Sequence, residues 1–141
     1  MAAVIPGIVV APEEGFQGLL GLVVEQFDEQ HARGSVAVRR ELMQPWAIVH
    51  GGVFAMIAES LASWATATAV APEGQVALGL ANNTSFLRPV SGGTIHGLAT
   101  RRHRGRTTWV WDVDMSDDDG RLCATSRVTI AVRPMPASQN A

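Results

Sequence analysis

The chain has 141 residues, 47% of them hydrophobic and 17% charged, with a formal net charge of −2. That length and balance describe one folded domain with a single core; they exclude an intrinsically disordered chain and speak against nucleic acid as the main partner. One cysteine, Cys123, excludes an internal disulfide and a multi-cysteine metal centre; every basic residue is arginine and tyrosine is absent, so a lysine Schiff base and a tyrosine acid or base are unavailable.

Residues 1–15 hold two prolines, two glutamates and two glycines without a period, and read as an N-terminal arm. No basic residue precedes their apolar run, so they do not read as a secretory signal. Spans 21–29 and 32–40 are β-rich, and Gly34 inside the second is expected to mark a bulge. A proline-broken connection, 41–49, leads to the one long helix, 51–71, which Pro72, Glu73 and Gly74 end. The apolar run 53–70 raises a membrane question. Glu59 near its middle would be costly in lipid, so a helix buried within a soluble, cytoplasmic protein is expected, with no membrane partner.

Four strands follow, at 76–89, 94–103, 107–115 and 122–133. The turn signals between them, Ser91-Gly92-Gly93, Arg104-Gly105-Arg106 and Asp117-Asp118-Asp119-Gly120, predict an antiparallel meander. A single domain over 16–134 and a flexible tail over 135–141 complete the chain. The pattern β-β-α-β-β-β-β predicts an α+β fold, a curved antiparallel sheet wrapped around one long central helix. The sheet edges left over invite a second copy of the chain, as a dimer or a dimer of dimers.

The chemistry gathers around Gln44-Pro45-Trp46-Ala47-Ile48-Val49-His50-Gly51-Gly52 and Glu59. Glu59 is the only acid between Glu41 and Glu73, on an apolar helix where an ionised carboxylate needs a partner or a task; a place at the helix edge, reaching solvent, is the plain alternative. Ser63, four residues on, shares its face. Gly51 and Gly52 open the helix, where free N–H groups and the positive dipole end suit an oxyanion; alone they would fit an ordinary loop-to-helix turn. Arg88, Arg101, Arg102, Arg104 and Arg106 offer a phosphate-binding set or simply solvated strand ends. The Asp117–Gly120 run lacks EF-hand spacing and reads as a hairpin turn, Gly15–Gly21 precedes a strand and so is no dinucleotide fingerprint, Cys123 reads as a small buried filler, and the four histidines have no metal-ligand spacing.

From about 20 to 133 the chain resembles the PaaI-type branch of the hotdog-fold acyl-CoA thioesterases. The likeness lies in Gln44-Pro45, His50-Gly51-Gly52, Glu59 with Ser63, Phe86-Leu87-Arg88, and Gly120-Arg121-Leu122 leading into Ser126-Arg127. The Gln44/Glu59 variant is similar to members that hydrolyse 4-hydroxybenzoyl-CoA and 1,4-dihydroxy-2-naphthoyl-CoA; the naphthoyl enzymes carry a histidine where Phe86 stands. The resemblance implies a thioester hydrolase without a cofactor or metal, acting on acyl-CoA at sites shared between subunits. The Gly51 N–H and the Gln44 amide would hold the thioester oxygen, His50 would orient the thioester or its loop, Glu59 would act as nucleophile or general base, and Ser63 would position Glu59 or water. It also implies that Arg88, Gly105, Arg106 and Thr107 contact the CoA nucleotide. Trp46, Phe54, Met56 and Phe86 lie close in sequence to these residues and are expected to line an apolar pocket for an aromatic or medium-chain acyl group. The alternatives are a non-catalytic acyl-CoA-binding module and a hotdog hydratase or dehydratase; the latter usually shows an HFPG-type stretch, which His50-Gly51-Gly52-Val53 does not resemble.

Overall fold

The computed structural model describes residues 5–137. Its elements are α1 (Phe16–Leu20), β1 (Leu22–Phe27), β2 (His31–Ala37), α2 (Gly51–Val70), β3 (Gln75–Phe86), β4 (Thr94–Arg104), β5 (Thr108–Ser116) and β6 (Leu122–Pro134). The strands form one sheet in the order β1-β2-β4-β5-β6-β3, every neighbouring pair antiparallel. The expected meander holds for β4-β5-β6 only. β3 pairs with β6 and not with β4, because the connection 87–93 carries the chain away from β3 and delivers β4 to the free side of β2.

Alternation is strict in β5. In β5, Trp109, Trp111, Val113 and Met115 are buried, while Asp112 and Asp114 point the other way. Six strands span roughly 24 Å at their usual spacing of just under 5 Å, against about 10 Å for a helix. Yet α2 packs against all six, so the sheet curves around it. The helix buries Ile57, Leu61, Ala62 and Ala65 completely or nearly so, each large side chain contributing about 1.5–3 kcal/mol. Thr66, fully buried on the helix, is satisfied: its Oγ1 donates to the Ala62 carbonyl (2.8 Å) and accepts from Trp111 Nε1 (2.9 Å), whereas the buried Thr68 Oγ1 has no hydrogen-bond partner among the described residues.

Gly34 borders the irregularity expected near it: its pair with Val24 is the last before β1 slips register between Val24 and Gln26, while on the other side it faces Gly97 of β4 in regular register. The two glycines let the helix approach. A Cβ on Gly97 would stand 2.9 Å from both Ile57 Cγ2 and Leu61 Cδ1, and one on Gly34 would stand 2.9 Å from Leu61 Cδ2 and the Val23 carbonyl.

Ahead of the sheet the chain is more ordered than an arm. A 3-10 turn at Pro12–Glu14 leads into α1, whose final carbonyls, Leu19 and Leu20, both accept from the Arg39 guanidinium. Residues 1–4 of the expected arm and 138–141 of the expected tail lie outside the described residues. The run that raised the membrane question is α2 itself, seated on the sheet, and Cys123 is buried in the core, where burial pushes its thiol up from the ordinary value.

Candidate active site

The loop before α2 is tightly wound. Gln44 N–H donates to the Ile48 carbonyl (2.8 Å), Ala47 N–H to the Gln44 carbonyl (3.0 Å), and the Gln44 side-chain oxygen accepts from Trp46 N–H (2.6 Å). Ala47 is held at φ 61, a left-handed conformation that costs a non-glycine residue about 1 kcal/mol or more. His50 caps α2: its Nδ1 accepts from Gly52 N–H at 2.8 Å. An accepting Nδ1 is unprotonated, so the neutral ring carries its proton on Nε2. The first turn holds no acidic residue, and Gly51 N–H has no acceptor among the described residues. The positive end of a 20-residue helix is thus left uncompensated.

The face of α2 that turns away from the core looks toward β3. Two clefts run along this seam and meet at Glu59. One, of about 490 Å³, is lined by Gly52, Ala55, Met56, Asn82, Thr84 and Phe86, with Phe16 across it. The other, of about 310 Å³, is lined by Ser63, Trp64, Ala67 and Ala77, with Ile8 and Gln17 of the N-terminal segment across it. Glu59 and Ser60 line both, and among the described residues Glu59 is the only ionisable side chain in either. Its carboxylate is exposed and lies against the bare backbone of Gly79, where an added Cβ would stand 3.4 Å from Oε1. Just beyond, β3 is irregular between Gly79 and Ala81. Bulges of this kind gather beside active sites, where they re-aim an edge.

The expected residues are only partly brought together. Glu59 and Ser63 share the second cleft; Met56 and Phe86 join Glu59 in the first. Phe86 also lies over the helix start, with ring atoms 2.8 Å from where a Gly51 Cβ would be. Phe54 turns into the core (3% exposed), touching the site only through its tilted contact with the Phe86 ring at 6.3 Å. Trp46 stands 82% exposed on the Gln44 loop, and neither it nor Gln44 lines the clefts around Glu59. Ser60, Asn82 and Gln17 were not singled out by sequence. Ser60 could have been found from its spacing of four from Met56 and three from Ser63, both already singled out; the other two reach the site only through tertiary packing.

The arginines divide into two groups. Arg101 and Arg104 flank the Trp109 ring, at 5.0 and 4.9 Å from its centroid, and both are tied to Glu29. Arg102 and Arg127 converge on Asp112, at 3.3 and 2.8 Å; the Arg127 hydrogen bond above all holds that carboxyl below the usual carboxylate range. Arg88 and Arg106 make no ion pair among the described residues. They stand at opposite ends of α2. Arg88 follows the Phe86 that covers Gly51, whereas Arg106 and Gly105 line a cleft of about 290 Å³ with Val70, the last residue of the helix. Thr107 lies in the same turn, its carbonyl accepting from Val132 N–H and from Arg133. A helix of this length separates the two ends by about 30 Å.

This fold is that of a known group. The pattern of the thioesterase superfamily matches residues 47–124, and the chain belongs to that superfamily. It is a hotdog-fold thioester hydrolase. Among its relatives, a thioesterase from Pseudomonas aeruginosa, solved as a variant, superposes with a TM-score of 0.84 at 35% identity, covering 88% of this chain and 89% of that one. The 1,4-dihydroxy-2-naphthoyl-CoA hydrolase of Listeria monocytogenes is 30% identical over 119 residues, 84% of this chain and 96% of the relative. The PaaI protein of Escherichia coli, at 24% identity with a TM-score of 0.76 over 86% of each chain, shares the fold.

Proposed function

We propose that this enzyme hydrolyses acyl-CoA thioesters carrying aromatic or medium-chain acyl groups, releasing the free acid and CoA. The observation that carries the reading is the solitary Glu59 carboxylate, set where two mostly apolar clefts meet beside an uncompensated helix start. The thioester oxygen lies toward the Gly51 N–H, where charge developing on it is stabilised by that donor and by the helix dipole, with the Gln44 amide as a second donor. His50, fixed by its bond to Gly52, keeps the helix start open and orients the thioester or its loop. Glu59 then attacks the carbonyl carbon, expelling CoA as thiolate and leaving an anhydride for water to open. Alternatively it takes a proton from water, whose oxygen adds to the carbonyl before the C–S bond breaks and the thiolate recovers the proton. Ser63 positions the carboxylate or the water. The acyl group lies along the seam between Met56 and Phe86 on one side and Trp64 and Ala77 on the other. The substrate named for the Listeria relative favours an aromatic acyl group.

A second copy of the chain completes this reading. β3 is an open edge bearing Leu78, Leu80 and Phe86, each more than half exposed. An exposed apolar edge is an aggregation hazard unless it is paired. Antiparallel pairing of β3 with its copy about a two-fold axis lays the Gln75 end of one strand beside the Phe86 end of the other. The Gly105-Arg106-Thr107 turn of one subunit then approaches the helix start and Arg88 of its partner, so that both arginines serve the nucleotide of one CoA. We place the enzyme in the cytoplasm, as a homodimer or a dimer of dimers.

The test is release of free thiol from benzoyl-CoA, hexanoyl-CoA and acetyl-CoA. The wild type turns over the first two in preference to the third, and Glu59→Gln lowers kcat at least about a hundredfold while still binding substrate. Wild-type turnover in Glu59→Gln would refute the mechanism; binding without turnover in the wild type would make the protein an acyl-CoA sensor.

A further inference from the structure

Asn82 enters the first cleft at the end of a hydrogen-bond chain that starts in the core. Its Nδ2 donates to the Ala55 carbonyl (2.9 Å), its Oδ1 accepts from Thr84 Oγ1 (2.7 Å), and Thr84 Oγ1 lies 2.7 Å from Ser126 Oγ, itself buried on β6. The direction of every bond follows from the last acceptor. A carbonyl can only accept, so the NH₂ of Asn82 must face Ala55 and its oxygen must face Thr84. The single hydroxyl proton of Thr84 is then used on Asn82, which leaves Ser126 as the donor to Thr84. The chain is therefore oriented throughout: Ser126 to Thr84, Thr84 to Asn82, and Asn82 to the helix.

Its end point matters. In an α-helix the carbonyl of residue 55 accepts the N–H of residue 59. Asn82 thus grips the helical turn that ends on Glu59, from the strand facing it across the cleft, and both side chains line that cleft. Asparagine is disfavoured within strands, and a half-buried amide needs partners; here the partners lead to the functional carboxylate. We propose that Asn82 is the positioning residue for Glu59, with Thr84 and Ser126 fixing its amide, so that α2 and β3 hold the carboxylate at one depth where the clefts meet. This rests on the role proposed above for Glu59. Misplacing a reacting group by about 1 Å can cost about a hundredfold in rate, which is the scale of control such a grip exerts.

The experiment is steady-state thiol release by the full chain on benzoyl-CoA, with Glu59→Gln run alongside. Asn82→Ala should lower kcat about 10- to 100-fold with KM within about threefold of wild type, because the contact acts on the carboxylate and not on substrate binding. Thr84→Val should lower kcat in the same direction, Thr84→Ser should restore it, and Thr84→Val added to Asn82→Ala should lower it no further, as expected of links in one chain. Asn82→Asp should move the acid limb of the kcat–pH profile upward, since a second carboxylate in the cleft disfavours ionised Glu59. Wild-type kcat in Asn82→Ala, an effect on KM alone, or additive losses in the double variant would each overturn the proposal. If Asn82→Ala does not fold, the Thr84→Val and Thr84→Ser pair decides, wild-type kcat in both being the refutation. Should Glu59→Gln keep full turnover, the reading of Glu59 fails first; should it lose turnover while Asn82→Ala does not, only this inference fails.

Discussion

Adding a single methyl group to Gly97 tests how closely the helix is seated on the sheet. The Cβ of Gly97→Ala would stand 2.9 Å from a methyl of Ile57 and a methyl of Leu61, both fully buried side chains without room to swing aside. Ordinary contact begins near 3.4 Å, so each methyl must retreat by at least about 0.5 Å, or the helix must rise. Overpacking of this kind costs about 1–3 kcal/mol. At about 2–4 °C per kcal/mol for a chain of this size, the Tm should fall by about 2–12 °C. Glu59 lies between the two displaced residues on α2, so kcat should fall as well, at temperatures where the variant remains folded. The measurement is thermal unfolding by circular dichroism at matched protein concentration, with Gly92→Ala as the control: a Cβ there meets nothing within 4 Å, and its Tm should not move. A Tm for Gly97→Ala within about 1 °C of wild type would mean that α2 is not seated at the distance described here.

Three other expectations concern charge and assembly. Arg106→Ala and Arg88→Ala should each raise KM for benzoyl-CoA more than they lower kcat, and should hardly affect a benzoyl thioester lacking the nucleotide; equal losses on both substrates would show that the arginines support the fold instead. Asp112 has its carboxyl held low in the folded state, first by the Arg127 hydrogen bond, so its contribution to stability is present above the unfolded value near 4 and is lost as pH falls through the lower folded value. Asp112→Asn should therefore cost about 0.5–1 kcal/mol at pH 7 by urea unfolding, a partly exposed pair being screened by water, and the difference should shrink below about pH 4; a pH-independent difference would contradict the ion-pair account. Light scattering should give at least twice the chain mass of 15.0 kDa, and Leu80→Arg on the open β3 edge should shift the protein toward monomer and reduce turnover; an active monomer would refute the shared site.

What the sequence showed depended on how far apart the partners lie. The helix start at Gly51, its end before Pro72 and the strands near 94–104 and 122–134 were legible because periodicity and turn residues are local. The placing of His50, Gly51 and Glu59 on one helix and its cap was legible for the same reason, although neither His50 nor Gly51 lines the clefts around Glu59. The short helix α1 was not: five residues between glycines show no period, and Arg39, nineteen residues on from Leu20, holds its end. Nor was the pairing of β3, because the signals at 91–93 mark a change of direction without saying which strand comes next. A glycine within a strand signals close approach and irregularity alike, and Gly34 shows both: it borders the slip in β1, and its register partner Gly97, sixty-three residues away, reveals the close approach of the helix that the sequence alone did not. Asn82 escaped for the same reason, since its meaning lies in Ala55, twenty-seven residues earlier.

The position of β3 at the far side of β6 also sets an order of events during synthesis. α2 and β3 leave the ribosome well before β6 exists, although β6 is the only strand that β3 pairs with inside the subunit: Gln75 waits for Pro134 and Phe86 for Ala124. Until then the apolar side of α2 has half a sheet to rest on, and β3 has two unpaired edges. Pairings this distant in sequence form late, and the transient state is the one most open to chaperones and to misassociation. The strand that borders the candidate site is thus the last to be fixed, so anything that delays the emergence of β6 should affect the catalytic seam before the rest of the sheet.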